Sequence, residues 1–221
     1  RLMSKEPPGH SSETAYQLET PQQHRDFYDD WAETYDSGFA QSKGYEYPQR
    51  IAEYFVTQVS QDQGPVMDIG CGTGLVGESL RQNGWSSGLD GVDISEGMLE
   101  VARAKGVYGR LFKEDLTKSD NLPKSFYGGL ISAGTFTHGH LGPEVLLSVF
   151  ALARAEAHAV IGINAQHFGN QNFEQAFWEW ENNKIISQPK WTETEIYQAS
   201  DGSETEKKMA MIADFRILVE T

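Results

Sequence analysis

The 221-residue sequence has a single cysteine, Cys71, so no disulfide bond can form within the chain. No apolar run approaches the roughly 20 residues that a membrane-spanning helix needs. Basic residues are also few, because 18 Lys and Arg stand against 32 Asp and Glu and leave a formal net charge of −14. This charge would repel nucleic acids and anionic membranes, so we expect neither as a partner. The sequence therefore favours a soluble cytoplasmic protein, and it gives no indication of an oligomeric state.

Apolar segments alternate with amphipathic ones through most of the chain, which is typical of an α/β fold. Strands are expected near residues 66–69, 89–94, 107–112, 130–133 and 159–163, with helices between them, including residues 75–82 and 144–154. Two more strand-like segments, 192–198 and 207–219, are joined by short turn residues and predict an antiparallel hairpin. We therefore expect a doubly wound, mostly parallel, seven-stranded sheet with a terminal antiparallel hairpin.

The N-terminal residues predict an arm followed by a helical lid. Residues 1–18 are polar and rich in proline, glycine and serine, so we expect a flexible arm. Residues 19–221 are expected to form one domain, in which residues 19–60 make an N-terminal helical lid across the carboxyl edge of the sheet. The first lid helix carries aromatic residues at four-residue spacing, namely Phe27, Trp31 and Tyr35.

A glycine-rich turn follows the first predicted strand. Gly70, Gly72 and Gly74 would let a ligand approach the backbone at the start of a helix. Residues 72–77 also satisfy the dinucleotide pattern G-x-G-x-x-G, and Asp93, 19 residues after Gly74, suits the ribose of either kind of ligand. An acidic residue before the first glycine, Asp68, favours a cationic ligand over an anionic phosphate. The alternative for Asp68 is a supporting role, in which it accepts hydrogen bonds from the amides of the loop. An NAD(P)-dependent oxidoreductase nevertheless stays open as an alternative.

These residues resemble a known family. Residues 66–74 are similar to the first motif of class I S-adenosylmethionine-dependent methyltransferases, and residues 91–99 are similar to their second signature. Residues 27–36 resemble the lead-in helix of many small-molecule methyltransferases. With residues 106–108, the sequence looks closest to the Williams-Beuren syndrome region methyltransferase-like group. The resemblance covers residues 27–163 and implies S-adenosyl-L-methionine as the cofactor.

The resemblance also implies a role for each matching position. Glycines of the turn would hold the methionine part, the second strand would hold the ribose and adenine, and the lead-in aromatics would cover the pocket. The expected cofactor-binding residues are Tyr28, Trp31, Tyr35, Asp68, Gly70, Gly72, Gly74, Asp93, Ile94, Met98, Asp115, Leu116, Gly134 and Thr135.

The catalytic chemistry is less constrained by the sequence. His138 follows the fourth predicted strand and could act as a general base, because imidazole titrates near neutral pH. The alternative is that His138 is an ordinary loop histidine. No set of residues has metal-ligand spacing, so we expect no metal. We therefore expect a methyltransferase that acts on oxygen or nitrogen of a small molecule, and a catalytically silent S-adenosylmethionine-binding module remains a second alternative.

Overall fold

A seven-stranded sheet forms the centre of the molecule, in a computed structural model that describes residues 10–41, 43–118, 120–137, 141–198 and 207–219. The strand order is β3-β2-β1-β4-β5-β7-β6. The strands are β1 (Val66–Ile69), β2 (Leu89–Asp93), β3 (Leu111–Lys113), β4 (Tyr127–Phe136), β5 (Ala153–Asn164), β6 (Lys190–Glu195) and β7 (Met209–Ile217).

Strands β1 to β5 pair in parallel, whereas β7 pairs antiparallel with both β5 and β6. The expected α/β fold, with a mostly parallel seven-stranded sheet and a terminal antiparallel hairpin, is confirmed. The strand order reverses between β1 and β4. Loops at the carboxyl ends of these two strands diverge to opposite faces and leave a crevice between them.

Eight α-helices lie around the sheet in the described part of the chain. They are α1 (Ser12–Ala15), α2 (Pro21–Thr34), α3 (Tyr47–Gln58), α4 (Leu75–Gln82), α5 (Glu96–Lys105), α6 (Pro143–Phe150), α7 (Ala165–Asn170) and α8 (Phe173–Asn182). A π-helical segment (Tyr35–Ala40) continues α2. None of the described helices combines the length and the apolar character needed to cross a bilayer.

Apolar side chains pack on both faces of the sheet. On one face, Ile51 and Phe55 of α3 and Leu80 of α4 belong to a fully buried cluster. On the other face, α6 and α8 contribute buried residues such as Phe150 and Phe177. Each helix has an apolar stripe that would otherwise be exposed to water, and its burial is the main stabilising term.

The N-terminal segment packs differently from the expectation. Ser12–Ala15 form a helical turn in which Ala15 is buried, so this part of the expected arm is helical, and residues 1–9 lie outside the described residues. Helix α3 belongs to the core beneath the sheet. Residues of α2 and the π-helix instead form a separate apolar cluster with Met98 of α5, which consists of Trp31, Ala32, Phe39, Ala40 and Met98. We use the name lid for residues 21–40.

The boundaries of some elements also differ from the sequence prediction. Residues 151–154 were predicted as the end of a helix, yet α6 ends at Phe150 and β5 already begins at Ala153. Helix α7 was not predicted. The third strand begins at Leu111 instead of Val107, because Tyr108 turns its side chain towards β1.

Candidate active site

A cavity of about 390 Å³ opens at the carboxyl edge of the sheet, beside the point where the strand order reverses. Its walls come from residues at or after the carboxyl ends of β1, β2, β3 and β4 and from the segment between residues 19 and 48. Of the fourteen expected cofactor-binding residues, eleven line this cavity. They are Tyr28, Tyr35, Gly70, Gly72, Asp93, Ile94, Met98, Asp115, Leu116, Gly134 and Thr135.

The glycine turn shapes the cavity wall next to β1. A Cβ atom on Gly70 would lie 2.0 Å from Oγ1 of Thr135, so only glycine allows the turn to approach β4 this closely. Gly72 has a positive φ of 53°, and a Cβ atom there would have no heavy atom within 4 Å. Gly72 therefore faces open space, in a backbone conformation that glycine adopts without strain. This position can accept a ligand against the bare backbone.

Asp93 ends β2 and presents its carboxylate to the cavity. Its Oδ2 accepts a hydrogen bond from the Gly72 amide and its Oδ1 accepts one from the Ser95 amide, both at 2.9 Å. Burial raises the pKa of this carboxyl, while the backbone hydrogen bonds act in the opposite direction. A carboxylate has about four acceptor positions, so Asp93 fixes the turn and keeps capacity for hydroxyl groups of a ligand.

Asp68 does not line the cavity, in contrast to the expectation. Its side chain is fully buried, and Oδ2 accepts a hydrogen bond from the Tyr108 hydroxyl at 2.6 Å. The other oxygen, Oδ1, has no hydrogen-bond partner among the described residues. Burial raises the pKa of Asp68 to about 7, although the Tyr108 hydrogen bond lowers it. Asp68 thus supports the glycine turn from behind, because a side chain within β1 points to a sheet face and not to the edge.

Trp31 and Gly74 also lie away from the cavity wall. Trp31 is buried in the lid cluster, where its ring packs 4.9 Å from that of Phe39. Gly74 caps the start of α4 in a left-handed conformation, and the Tyr108 ring lies against it. Neither Trp31 nor Gly74 faces the cavity, so both residues stabilise its walls from outside.

The expected catalytic residue, His138, lies outside the described residues. Two of the described histidines lie at or near the cavity. His24 lines the cavity, and burial lowers its pKa, which leaves a neutral imidazole at neutral pH. His167 is buried and its Nε2 lies 2.8 Å from the Leu141 carbonyl oxygen, so it supports the loop after β4.

Sequence reasoning missed several residues around the cavity. Thr20 and Pro21 could have been found, because they were already predicted to start α2, and Thr20 does cap this helix. Tyr45 gave no signal, since it lies in an irregular segment outside every motif. The missed residues are Glu19, Thr20, Pro21, His24, Tyr45, Pro48, Cys71, Thr73, Leu75, Val76, Glu114, Thr117, Ala133 and Leu141.

Two aspartates fasten the lid to the walls of the cavity. Asp29 accepts hydrogen bonds from the Ser95 hydroxyl at 2.5 Å and from the Gly97 amide at 2.9 Å. Asp36 accepts a hydrogen bond from the Thr73 hydroxyl at 2.6 Å and pairs with the Lys105 ammonium at 2.6 Å. The lid is therefore held by polar contacts at two points, one at the start of α5 and one at the glycine turn.

Comparison with known proteins finds similarities in the central part of the chain. A family model described as a methyltransferase domain matches residues 66–155, which contain β1 to β4 and the start of β5. Human methyltransferase-like protein 27 is 46% identical over 90 residues, which are 38% of this chain and 35% of that protein. The 18S rRNA (guanine-N(7))-methyltransferase RID2 of Arabidopsis thaliana is 41% identical over 69 residues, which are 30% of this chain and 22% of that protein. The chain thus matches about a third or less of the length of these two relatives.

Solved structures extend the likeness to the whole fold. Magnesium protoporphyrin IX methyltransferase from Synechocystis PCC 6803, with bound SAM, superposes with a TM-score of 0.61 at 19% identity. The match covers 90% of this chain and 98% of that one. The fold is therefore the Rossmann-like α/β fold that this solved methyltransferase has, and the methyltransferase-domain model matches its central part, residues 66–155.

Proposed function

We propose that this protein transfers the methyl group of S-adenosyl-L-methionine to oxygen or nitrogen of a small molecule. The observation that carries the proposal is the shared cavity, which is lined by the glycine turn, by Asp93 and by the lid aromatics Tyr28 and Tyr35. One ligand can contact all of these groups at once. The relatives leave the acceptor open, because the matched segments cover only part of each protein.

The residues around the cavity suit the cofactor. The open space at Gly72 suits the amino acid part of the ligand, and the Asp93 carboxylate suits the two ribose hydroxyls. Ile94 and Met98 offer apolar contacts for the adenine, next to Asp115 and Leu116 at its edge. Thr135 and Gly134 lie beyond the glycine turn, where the resemblance implies the reactive end of the cofactor.

The chain itself contributes orientation and exclusion of water. S-adenosyl-L-methionine supplies an electrophilic methyl group, so the protein mainly has to hold a nucleophile in line with it. Orientation of this kind can supply about 7–11 kcal/mol of the barrier. The lid covers the cavity from the side of Tyr28, which keeps water away from the reacting atoms. His138 remains our proposed general base, and His24 is a second imidazole at the cavity wall.

Two finer assignments belong to the proposal. We infer that the chain belongs to the Williams-Beuren syndrome region methyltransferase-like group, on the strength of the motifs in residues 27–36 and 106–108. We also infer a small-molecule acceptor in the cytoplasm and not a nucleic acid. The net charge of −14 supports this inference, because binding to RNA depends on counterion release by basic residues.

The cofactor assignment can be tested by thermal unfolding with S-adenosylhomocysteine and with NAD. A ligand that binds only the native state increases the free energy of unfolding, by about 2.7 kcal/mol at a concentration of 100 Kd, and therefore raises the melting temperature. We expect S-adenosylhomocysteine to do this and NAD not to do so. The opposite ranking would favour an oxidoreductase. Transfer of labelled methyl groups to a metabolite extract separates an enzyme from a module that only binds the cofactor.

A pair of glycine variants tests where the cofactor binds. Gly72→Ala and Gly106→Ala both place a Cβ atom in open space at a positive φ, 53° and 65°, so they carry a similar backbone strain. Only Gly72 lines the cavity. We expect both variants to lose a similar amount of stability, and only Gly72→Ala to lose affinity for S-adenosylhomocysteine. Equal affinities of the two variants would remove Gly72 from the cofactor site.

A further inference from the structure

We propose that the methyl acceptor is a small amine, which Tyr35 and Tyr45 hold at the β4 side of the cavity and which is methylated on nitrogen. The inference rests on the proposed function and names the chemical class of its second substrate. It draws on the charge of the cavity wall, the position and protonation of the two tyrosines, and the volume of the cavity.

The charged groups at the cavity wall have one sign. Glu19, Asp93, Glu114 and Asp115 contribute carboxylates, whereas no described lining residue is a lysine or an arginine. A cleft with charges of one sign concentrates ligands of the opposite sign. The wall therefore attracts an ammonium group, and it repels carboxylates, phosphates and nucleic acid backbones.

Tyr45 lies at the opposite end of the cavity from the ribose contacts, and the Tyr35 side chain is within hydrogen-bonding distance of Tyr45. A Cβ atom on Gly134 would lie 2.9 Å from the Tyr45 hydroxyl, so Tyr45 reaches the end of β4. Asp93 lies at the end of β2, on the far side of β1. A cofactor that contacts Asp93 at one end therefore leaves the tyrosine end for the acceptor.

Burial keeps these tyrosines uncharged. It raises the pKa of both Tyr35 and Tyr45 well above the usual value of 10, and neighbouring tyrosines add to the shift. Their rings are held from behind, since Tyr35 packs 4.8 Å from Trp31 and Tyr45 packs 5.6 Å from Tyr197. Fixed, neutral aromatic rings attract cations through their π-faces. This arrangement suits a protonated amine and the methylated ammonium product.

The reaction balances without any further reagent. The ammonium loses a proton to solvent before the lid covers it, which frees the lone pair on nitrogen. This lone pair forms the bond to the methyl carbon while the carbon–sulfur bond breaks and its electron pair passes to sulfur. The products are S-adenosylhomocysteine and the methylated ammonium ion. No oxidant, reductant or metal takes part in this step.

The volume limits the size of the acceptor. Ligand pockets commonly measure about 300–1,000 Å³, and this cavity of about 390 Å³ has to hold the cofactor as well. Tyr45, Pro48 and Leu141 line the cavity, and the side chains of Pro48 and Leu141 are apolar. An amine with a compact apolar body fits this space better than a polar or extended molecule.

The charge preference can be measured as binding to the protein saturated with S-adenosylhomocysteine. Three probes with similar skeletons are compared by calorimetry: 2-phenylethylamine, 2-phenylethanol and 3-phenylpropanoate. We expect the amine to bind at least tenfold more tightly than the alcohol, and the carboxylate to bind more weakly than either. Equal binding of the three, tighter binding of the carboxylate, or binding of none of them would overturn the inference. If S-adenosylhomocysteine itself does not bind, the proposed function fails first.

Variants of Tyr45 test the aromatic contribution. Tyr45→Phe keeps the ring and should keep the preference for the amine, whereas Tyr45→Leu should reduce it about tenfold. Phe126→Leu is the control, because Phe126 is 44% exposed and does not line the cavity. An unchanged preference in Tyr45→Leu would remove Tyr45 from the acceptor site. Should that variant fail to melt cooperatively, the probe series on the unmodified chain still decides the class of acceptor. Methylation of an RNA fragment in preference to the amine would also overturn the proposal.

Discussion

The attachment of the lid can be tested with two neighbouring aspartates on α2. Asp29 accepts hydrogen bonds from the Ser95 hydroxyl and the Gly97 amide. Asp30 is exposed and has no hydrogen bond or ion pair in the described structure. Asp29→Ala therefore removes a polar fastening of the lid, and Asp30→Ala removes the same charge without doing so. The two variants have the same composition, the same net charge and nearly the same helix position.

The size of the effect follows from the two hydrogen bonds. A hydrogen bond to a charged group contributes about 1.5–3 kcal/mol. Ser95 and Gly97 donate at a partly buried edge, so water can take the place of the Asp29 carboxylate in the variant. We therefore expect the loss of both hydrogen bonds together to cost about 1.5–3 kcal/mol. Since 1.4 kcal/mol is a factor of ten, the equilibrium for undocking of the lid should rise about 10- to 100-fold. The apolar contacts of Trp31 and Ala32 with Met98 remain.

Hydrogen exchange reports this equilibrium directly, because buried amides of α2 exchange when the lid undocks. We expect exchange in α2 to be 10- to 100-fold faster in Asp29→Ala than in Asp30→Ala, with exchange in β1 and β4 unchanged. Release of S-adenosylhomocysteine should be faster by a similar factor if it requires the open lid. Equal exchange of α2 in the two variants would show that Asp29 does not hold the lid.

Three further predictions concern the cofactor site and the fold. Asp93→Asn should weaken binding of S-adenosylhomocysteine about tenfold or more in calorimetry, because the carboxylate loses its charge, and an unchanged affinity would contradict its role at the ribose. The pKa of Asp68 is raised from 3.8 to about 7, so its protonation favours the folded state at low pH, and this stability is lost as the pH rises from about 4 to 7. The melting temperature of Asp68→Asn should therefore increase relative to the unmodified chain over that range, and a constant difference would contradict the shift. A chain that lacks residues 1–36 should melt cooperatively in circular dichroism but bind no S-adenosylhomocysteine, because the lid cluster is separate from the core; normal binding, or no folding, would contradict this.

The parts of the fold that the sequence predicts well are those specified by local patterns. Short apolar runs before glycine or acidic residues mark β1 and β2, and both were located within one residue. The end of α6 was misjudged, because Ala153 and Arg154 read equally well as helix. Whether such residues join a sheet depends on pairing with β4, which is a tertiary contact. Local preference alone cannot decide it.

The same distinction explains the residues of the site. Gly70, Gly72 and Asp93 lie in short motifs whose spacing already implies a ligand, and the structure brings them to one cavity. Tyr45 reaches that cavity only because the chain returns from the lid and pairs with Tyr197, which is 152 residues further on (197 − 45). A sequence contains no periodic signal for such a contact. The residues on the acceptor side of the cavity could therefore not be predicted from sequence motifs.

Asp68 shows why a correct motif does not settle the role of each member. Asp68 lies two residues before the first glycine of the turn, and it was expected either to meet a cationic ligand or to support the loop. Within β1, however, successive side chains alternate between the faces of the sheet, and Asp68 points to the face where Tyr108 lies. Tyr108 also accepts a hydrogen bond from the Gly77 amide at 3.2 Å, so the pair links β1 to the first turn of α4. The carboxyl thus acts on the glycine turn through the position of α4, and any effect of Asp68 on cofactor affinity should be accompanied by an effect on stability.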